Sequence, residues 1–114
     1  MAFTDDDLDL QSRTREALLR SGKPISYGAL ARALDVPLPG AIAKVAAALE
    51  ALMRQDMTDD KPFVAALCEG KLSDGLPALG FFQMAAELGR YTGPATGPVA
   101  KAFVDEQRRL LLPR

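Results

Sequence analysis

The first twenty residues combine a polar start with apolar positions at helical spacing, which predicts a helix from about Thr4 to Ser21. Threonine often caps helices, and the aspartates at 5–7 place negative charge against the positive end of the helix dipole. Gly22 and Pro24 then end the helix. Its inward face is expected to hold Leu10, Thr14, Ala17 and Leu18.

Two more helices are predicted in the N-terminal half. Ser26 is a natural cap for a short helix from about Tyr27 to Leu34. The following turn holds two prolines and ends at Gly40, where a longer helix begins that runs to about Gln55. Alanines fill most of its other positions, and its inward stripe is expected to hold Ile42, Val45, Leu49 and Leu52.

The apolar run Phe63–Cys68 changes the pattern and predicts a short buried strand. Asp74-Gly75 is a favoured hairpin pair, so a second short strand around 76–78 would pair back as an edge strand that contains Pro77. Two helices follow, at about Gly80–Gly89 and Pro98–Leu111. The last helix is expected to bury Val99, Ala102, Phe103 and Leu110.

These elements predict one mostly α-helical (α+β) domain over residues 1–114, with three N-terminal helices, a short β-hairpin and two C-terminal helices. That order is the order of a winged helix. Leu30-Ala31 followed by Leu34-Asp35-Val36 also resembles the first half of a helix-turn-helix motif. In that motif a small residue lets the second helix pack closely, and an apolar residue fills the turn.

Composition narrows the chemistry, because the chain has no histidine and a single cysteine. Histidine-dependent nucleophiles, imidazole bases and histidine-bound zinc are therefore excluded, and so is an internal disulfide. Cys68 lies in an apolar run before Glu69, so we expect an inert packing thiol. We expect no enzyme activity, no cofactor and no metal.

Three short patterns have structural explanations that we prefer to ligand sites. The adjacent acids at 5–7 and 59–60 suit a helix start and a solvated loop rather than a hard cation. The stretch 75–80 lacks the Gly-Lys-Ser/Thr ending of a phosphate loop and is expected to be a turn that seats Phe81 and Phe82. Arg108-Arg109 complements the C-terminal end of a helix.

The formal net charge is −1, and the chain carries no overall basic footprint of the kind DNA-binding domains often have. Its polar, acidic N-terminus is unlike a signal peptide. The longest apolar stretch, about Ala41–Met53, contains Lys44 and Glu50 and is too short to span a bilayer. We therefore expect a cytoplasmic protein without membrane association.

The segment Ile25-Ser26-Tyr27-Gly28-Ala29-Leu30-Ala31 resembles the opening of the DNA-binding part of alkylguanine-DNA alkyltransferases and alkyltransferase-like proteins. The resemblance covers about residues 24–52. Those enzymes carry a Pro-Cys-His-Arg motif whose cysteine accepts the alkyl group, whereas this chain has Pro62-Phe63. The resemblance implies a DNA-binding fold without alkyl transfer.

A wider resemblance connects most of the chain to uncharacterised small bacterial proteins. Those proteins share a Tyr-Gly-x-Leu-Ala segment, a strand and a Gly-Leu-Pro-x-x-Gly-Phe turn, which here correspond to positions 27–31 and 75–81. This resemblance implies no activity.

Two functions follow as hypotheses. In the first, a winged helix binds duplex DNA through phosphate contacts, for which the candidates around the third helix and the hairpin are Arg32, Lys44, Lys61 and Lys71. In the second, the same fold is a protein-interaction module or a homodimer, as suggested by the acidic balance, the alanine-rich third helix and the apolar end at 110–112.

Overall fold

The computed structural model describes residues 3–37 and 39–112, and α-helices make up most of that part of the chain. The helices are α1 (Asp5–Ser21), α2 (Tyr27–Ala33), α3 (Ala41–Thr58), α4 (Leu79–Glu87) and α5 (Gly97–Leu111). A short 3-10 helix, here called the central turn, covers Val64–Leu67. Two strands of two residues each, β1 (Ile25–Ser26) and β2 (Cys68–Glu69), form the sheet of the described chain.

The predicted start of α1 is confirmed. The Thr4 hydroxyl accepts a hydrogen bond from the backbone N–H of Asp7 at 3.1 Å, and the Asp7 carboxylate accepts one from the N–H of Thr4 at 3.1 Å. This reciprocal box satisfies two N–H groups that the helix itself leaves unpaired. The helix ends at Gly22, whose positive φ of 70° is the left-handed conformation that glycine adopts without strain.

The paired helices α2 and α3 also lie where the sequence predicts them. The Ser26 hydroxyl caps α2 by accepting the Ala29 N–H at 3.1 Å. On α3 the predicted inward residues Val45, Leu49 and Leu52 are buried, but Ile42 is wrongly predicted, since 51% of it is exposed. In the first turn of α3 it is Ala41, the residue before Ile42, that is buried against the core.

The predicted β-hairpin is wrong. The run Phe63–Cys68 is buried, but most of it forms the central turn, and the strand at its end pairs in parallel with β1, Ile25 opposite Cys68. Residues 76–78 form no strand. Pro77 has no N–H to donate to a strand partner, and the Gly70 N–H instead donates to the Leu76 carbonyl at 2.8 Å across a tight loop. Residues 70–78 therefore form a loop at the point in the chain where a winged helix would have its β-hairpin.

The inward face of α5 is rotated from the predicted one. Ala100, Val104 and Gln107 are buried. Of the predicted residues, Phe103 is half-buried, Ala102 is exposed, and Val99 and Leu110 are 57% and 52% exposed. Gln107 lies inward because its side-chain oxygen accepts the buried N–H of Phe63 at 2.8 Å. Apolar periodicity does not reveal this polar contact, which accompanies a buried position for Gln107.

The core surrounds the central turn. All four of its residues are buried, and α1, α3 and α5 each contact it. Phe63 and Phe81 meet edge to face beside it, with ring centroids 5.9 Å apart. The central turn is therefore the shared packing surface of α1, α3 and α5.

Candidate binding pocket

A pocket of about 200 Å³ opens between α2, the exposed side of α3 and the start of α4. Its lining is mostly apolar, and α3 contributes half of it. The α3 residues are Ile42, Ala46, Leu49, Glu50 and Met53. The floor is Ala65 of the central turn, and Phe81 closes the α4 side.

Small residues explain why this space stays open. Ala46 lies one turn after Ile42 on α3, and its methyl group cannot fill the gap that a larger side chain would close. Gly80 faces open space on the opposite wall, where an added Cβ would meet nothing within 4 Å. The pocket is thus bordered by two small residues above a buried apolar floor.

Two polar groups interrupt the apolar lining. The Tyr27 hydroxyl oxygen accepts the Ala78 N–H at 3.0 Å, and burial raises the pKa of Tyr27 to about 12. The phenol therefore keeps its proton at neutral pH and can donate a hydrogen bond. Glu50 is exposed, and no lysine or arginine of residues 3–37 and 39–112 forms an ion pair with it.

Buried polar contacts join the C-terminal half of α3 to the central turn and to α1. Asp56 of α3 has no exposed surface, and its Oδ2 accepts the Val64 N–H at 3.0 Å. Its Oδ1 lies 2.8 Å from a guanidinium nitrogen of Arg15, but within the described residues no donor has the geometry of a hydrogen bond to Oδ1. The contact is therefore an ion pair between a buried carboxylate and a partly exposed guanidinium.

Arg108 of α5 ties the continuous stretch of the central turn and β2 to the loop at 70–78. Its guanidinium donates to the carbonyls of Ala66 at 2.7 Å, Gly75 at 2.9 Å and Cys68 at 3.4 Å. These carbonyls belong to the central turn, the loop at 70–78 and β2. The planar guanidinium of arginine can donate to several carbonyls at once, which the single ammonium group of lysine does less well.

Cys68 is fully buried beside this arginine. Burial raises the pKa of the thiol to about 12, and the nearby positive charge of Arg108 opposes that rise only in part. A thiol that stays protonated and has no access to solvent is a poor nucleophile. Its position therefore agrees with the packing role expected from the sequence.

The four cations predicted to contact DNA are all exposed but do not form one group. Arg32 lies on α2, and Lys71 lies in the loop at 70–78. Lys44 lies in the first turn of α3, and Lys61 follows its last turn, so roughly 20 Å or more of helix separates them. The backbone carbonyl of Lys61 accepts a hydrogen bond from Arg90 at 2.6 Å.

Lys44 lies in an acidic groove on the other side of α3. This groove, about 490 Å³, runs between the start of α1, the end of α2 and the start of α3. Its charged lining consists of Asp6, Asp7, Asp9, Asp35, Arg13 and Lys44. We keep the name acidic groove for this feature, in which carboxylates outnumber cations.

Sequence patterns alone do not predict this pocket. Tyr27, Ala46 and Glu50 lie on predicted helices, but they come together only when α2 and α4 pack against α3. The available signal was Ile42, an aliphatic residue in a helix start that the alanine-rich neighbours leave uncovered.

Within residues 3–37 and 39–112, no cluster of three or more Cys, Asp or Glu side chains is arranged to hold a metal ion. None of the helices in those ranges combines the length and the apolar character needed to cross a bilayer. Comparisons of the chain with protein-family models, curated proteins and solved structures found no match.

Proposed function

We propose that this protein is an interaction module that receives an apolar side chain of a partner protein in the pocket between α2, α3 and α4. The observation that carries the proposal is Ile42, half exposed at the edge of an apolar pocket with a buried floor. Covering such a side chain gains roughly 25 cal/mol for each Å² removed from water. A pocket of this kind is a usual place for the anchoring residue of a partner.

The exposed side of α3 supports protein binding better than DNA binding. Affinity for duplex DNA comes largely from cations that neutralise phosphates. Here Ile42, Ala43 and Ala46 are exposed at the helix start, where a recognition helix would carry polar side chains. Lys44 lies among aspartates, which would repel a phosphate backbone.

A pair of tryptophan variants tests the proposal. Ala46→Trp fills the pocket from an exposed position, and Ala43→Trp places the same side chain on α3 outside it. A random peptide library would be selected on immobilised wild-type protein, and the affinities of the selected peptides would then be measured for all three proteins.

We expect apolar peptides that bind the wild type and Ala43→Trp alike and lose at least tenfold in affinity for Ala46→Trp. Thermal unfolding of both variants shows whether each is folded. Peptides that bind Ala46→Trp as well as the wild type, or a library that yields no pocket-dependent binder, would overturn the proposal.

A further inference from the structure

We infer that the partner segment is basic as well as apolar: its anchor enters the pocket, and its Lys or Arg side chains face Glu50 and the acidic groove. This inference rests on the proposed function and adds the charge of the partner to it. It is carried by the placement of carboxylates on both sides of the exposed face of α3.

Glu50 supplies the first carboxylate. It lies one turn after Ala46 in the lining of the pocket, and within the described chain it has no ion-pair partner. A cation next to the anchoring side chain would meet it at the pocket edge. An acidic partner would bring like charges together there, which costs affinity.

The acidic groove supplies the other carboxylates. Of its two cations, Arg13 is already engaged, because it lies 3.6 Å from Asp9 and donates to the Leu34 carbonyl at 2.5 Å. Asp7 is engaged in the capping box of α1, so Asp6 and Asp35 are the carboxylates of the lining without such a contact, and Lys44 is its remaining cation. The groove attracts positive charge.

One segment can reach both features. Ala47 lines the acidic groove, while Ala46, its neighbour in the chain, lines the pocket. The two features are thus separated by the width of α3, about 10 Å with its side chains. A segment that crosses α3 would place its apolar residue on one side and its cations on both.

A second copy of this chain fits less well as the occupant. On α5 the exposed Lys101 and Arg109 are already paired with Asp105 at 2.8 Å and Glu106 at 2.6 Å, and the chain as a whole carries a formal net charge of −1 rather than an excess of cations. If α5 docked on the pocket of another copy, these two cations would have to leave their partners on α5 before they could pair with Glu50 or the acidic groove. The charge pattern therefore points to a different, basic protein.

Two synthetic peptides test the inference. They share the same apolar residues, and their polar positions are all Lys in one and all Glu in the other. Binding would be measured by calorimetry at about 50 mM and about 500 mM NaCl, which spans weak to strong screening. The proteins are the wild type, Glu50→Gln, Ala46→Trp, and Glu87→Gln as a matched control on the exposed side of α4, outside the pocket lining.

We expect the Lys peptide to bind at least tenfold more tightly than the Glu peptide at low salt, and the difference to shrink at high salt. Glu50→Gln should weaken the Lys peptide by about threefold, and Glu87→Gln should leave it unchanged. Equal binding of both peptides, each blocked by Ala46→Trp, would overturn the inference and leave the proposed function standing. Lys-peptide binding that Ala46→Trp does not affect, or no binding of either peptide, would overturn the inference as well.

Discussion

The carboxylate of Asp56 accepts the backbone N–H of Val64 at 3.0 Å from a position with no solvent exposure. The same carboxylate is paired with Arg15 of α1, so one side chain joins α1, α3 and the central turn. Removing it would leave a buried N–H without a partner and an arginine without its counter-charge. The contact therefore matters for stability more than its single hydrogen bond suggests.

We expect Asp56→Ala to lower the free energy of unfolding by about 3–5 kcal/mol. Arg15→Gln should cost less, because the Arg15 side chain is 28% exposed and Asp56 would keep its bond to Val64. Urea unfolding followed by circular dichroism measures both, with the exposed Asp105→Asn as a control that should change stability by less than about 0.5 kcal/mol. A loss for Asp56→Ala as small as that of the control would contradict the assignment.

Local chemistry predicted the parts of the fold that depend on neighbours in sequence. The cap at Thr4 depends on contacts within four residues, and the buried stripe of Val45, Leu49 and Leu52 follows from helical spacing alone. In both cases the deciding contacts are within one helix or on one of its faces, so periodicity is a sufficient guide.

The rest depends on contacts that spacing cannot encode. A buried run such as Phe63–Cys68 has the same apolar pattern whether it is a strand or a 3-10 helix, and side chains of α3 and α5 supply hydrogen bonds to its backbone here. Periodicity also cannot separate a core position from a pocket edge, which is why helical spacing alone predicts that Ile42 is buried. The pocket needs three packed helices before it exists.

Arg108 gives a second stability prediction. Replacing it with alanine removes donors to the Ala66 and Gly75 carbonyls, and we expect a loss of about 2 kcal/mol together with faster amide exchange in the loop at 70–78. The stability of Arg108→Lys should fall between that of the wild type and that of Arg108→Ala, since one ammonium group cannot reach all the carbonyls. Arg109→Ala, which breaks an exposed pair with Glu106, is the control and should have little effect. Unchanged exchange in the loop of Arg108→Ala would show that the arginine does not hold it.

Alkaline pH should destabilise the protein partly through Cys68. Burial raises the pKa of this thiol from 9.0 to about 12, so the folded state keeps a proton that the unfolded chain loses at lower pH. The stabilising contribution is therefore complete below pH 9 and is lost as the pH rises towards 12. Tyr27, raised from 10.0 to about 12, acts in the same direction.

The test compares urea unfolding of the wild type and Cys68→Ala at about pH 8 and about pH 10.5, between the unfolded and folded pKa values of the thiol. The wild type should lose more stability over this interval than Cys68→Ala, whose remaining pH dependence comes from other groups. Identical losses in the two proteins would rule out the contribution of Cys68.

Random-sequence duplex DNA provides the opposing test of function. Because Lys44 and Lys61 lie at opposite ends of α3 and Lys44 lies among aspartates, we expect no stable complex at about 100 mM salt. Fluorescence anisotropy over a salt series measures this. A complex that weakens steeply with salt, and disappears when Arg32, Lys44, Lys61 and Lys71 are all changed to glutamine, would favour DNA as the partner instead.

The parallel pairing of Ile25 with Cys68 joins positions more than forty residues apart, with α2, α3 and the central turn between them. Closing so long a loop costs chain entropy, whereas each intervening helix forms from local contacts. The two strands are therefore expected to meet late in folding, after α3 has formed. In pulse-labelled refolding, amides in the middle of α3 should gain protection before those of the strand pair, and the reverse order would exclude this sequence of events. The pocket, whose α2 wall directly follows β1, would then take its final shape in the last step of folding.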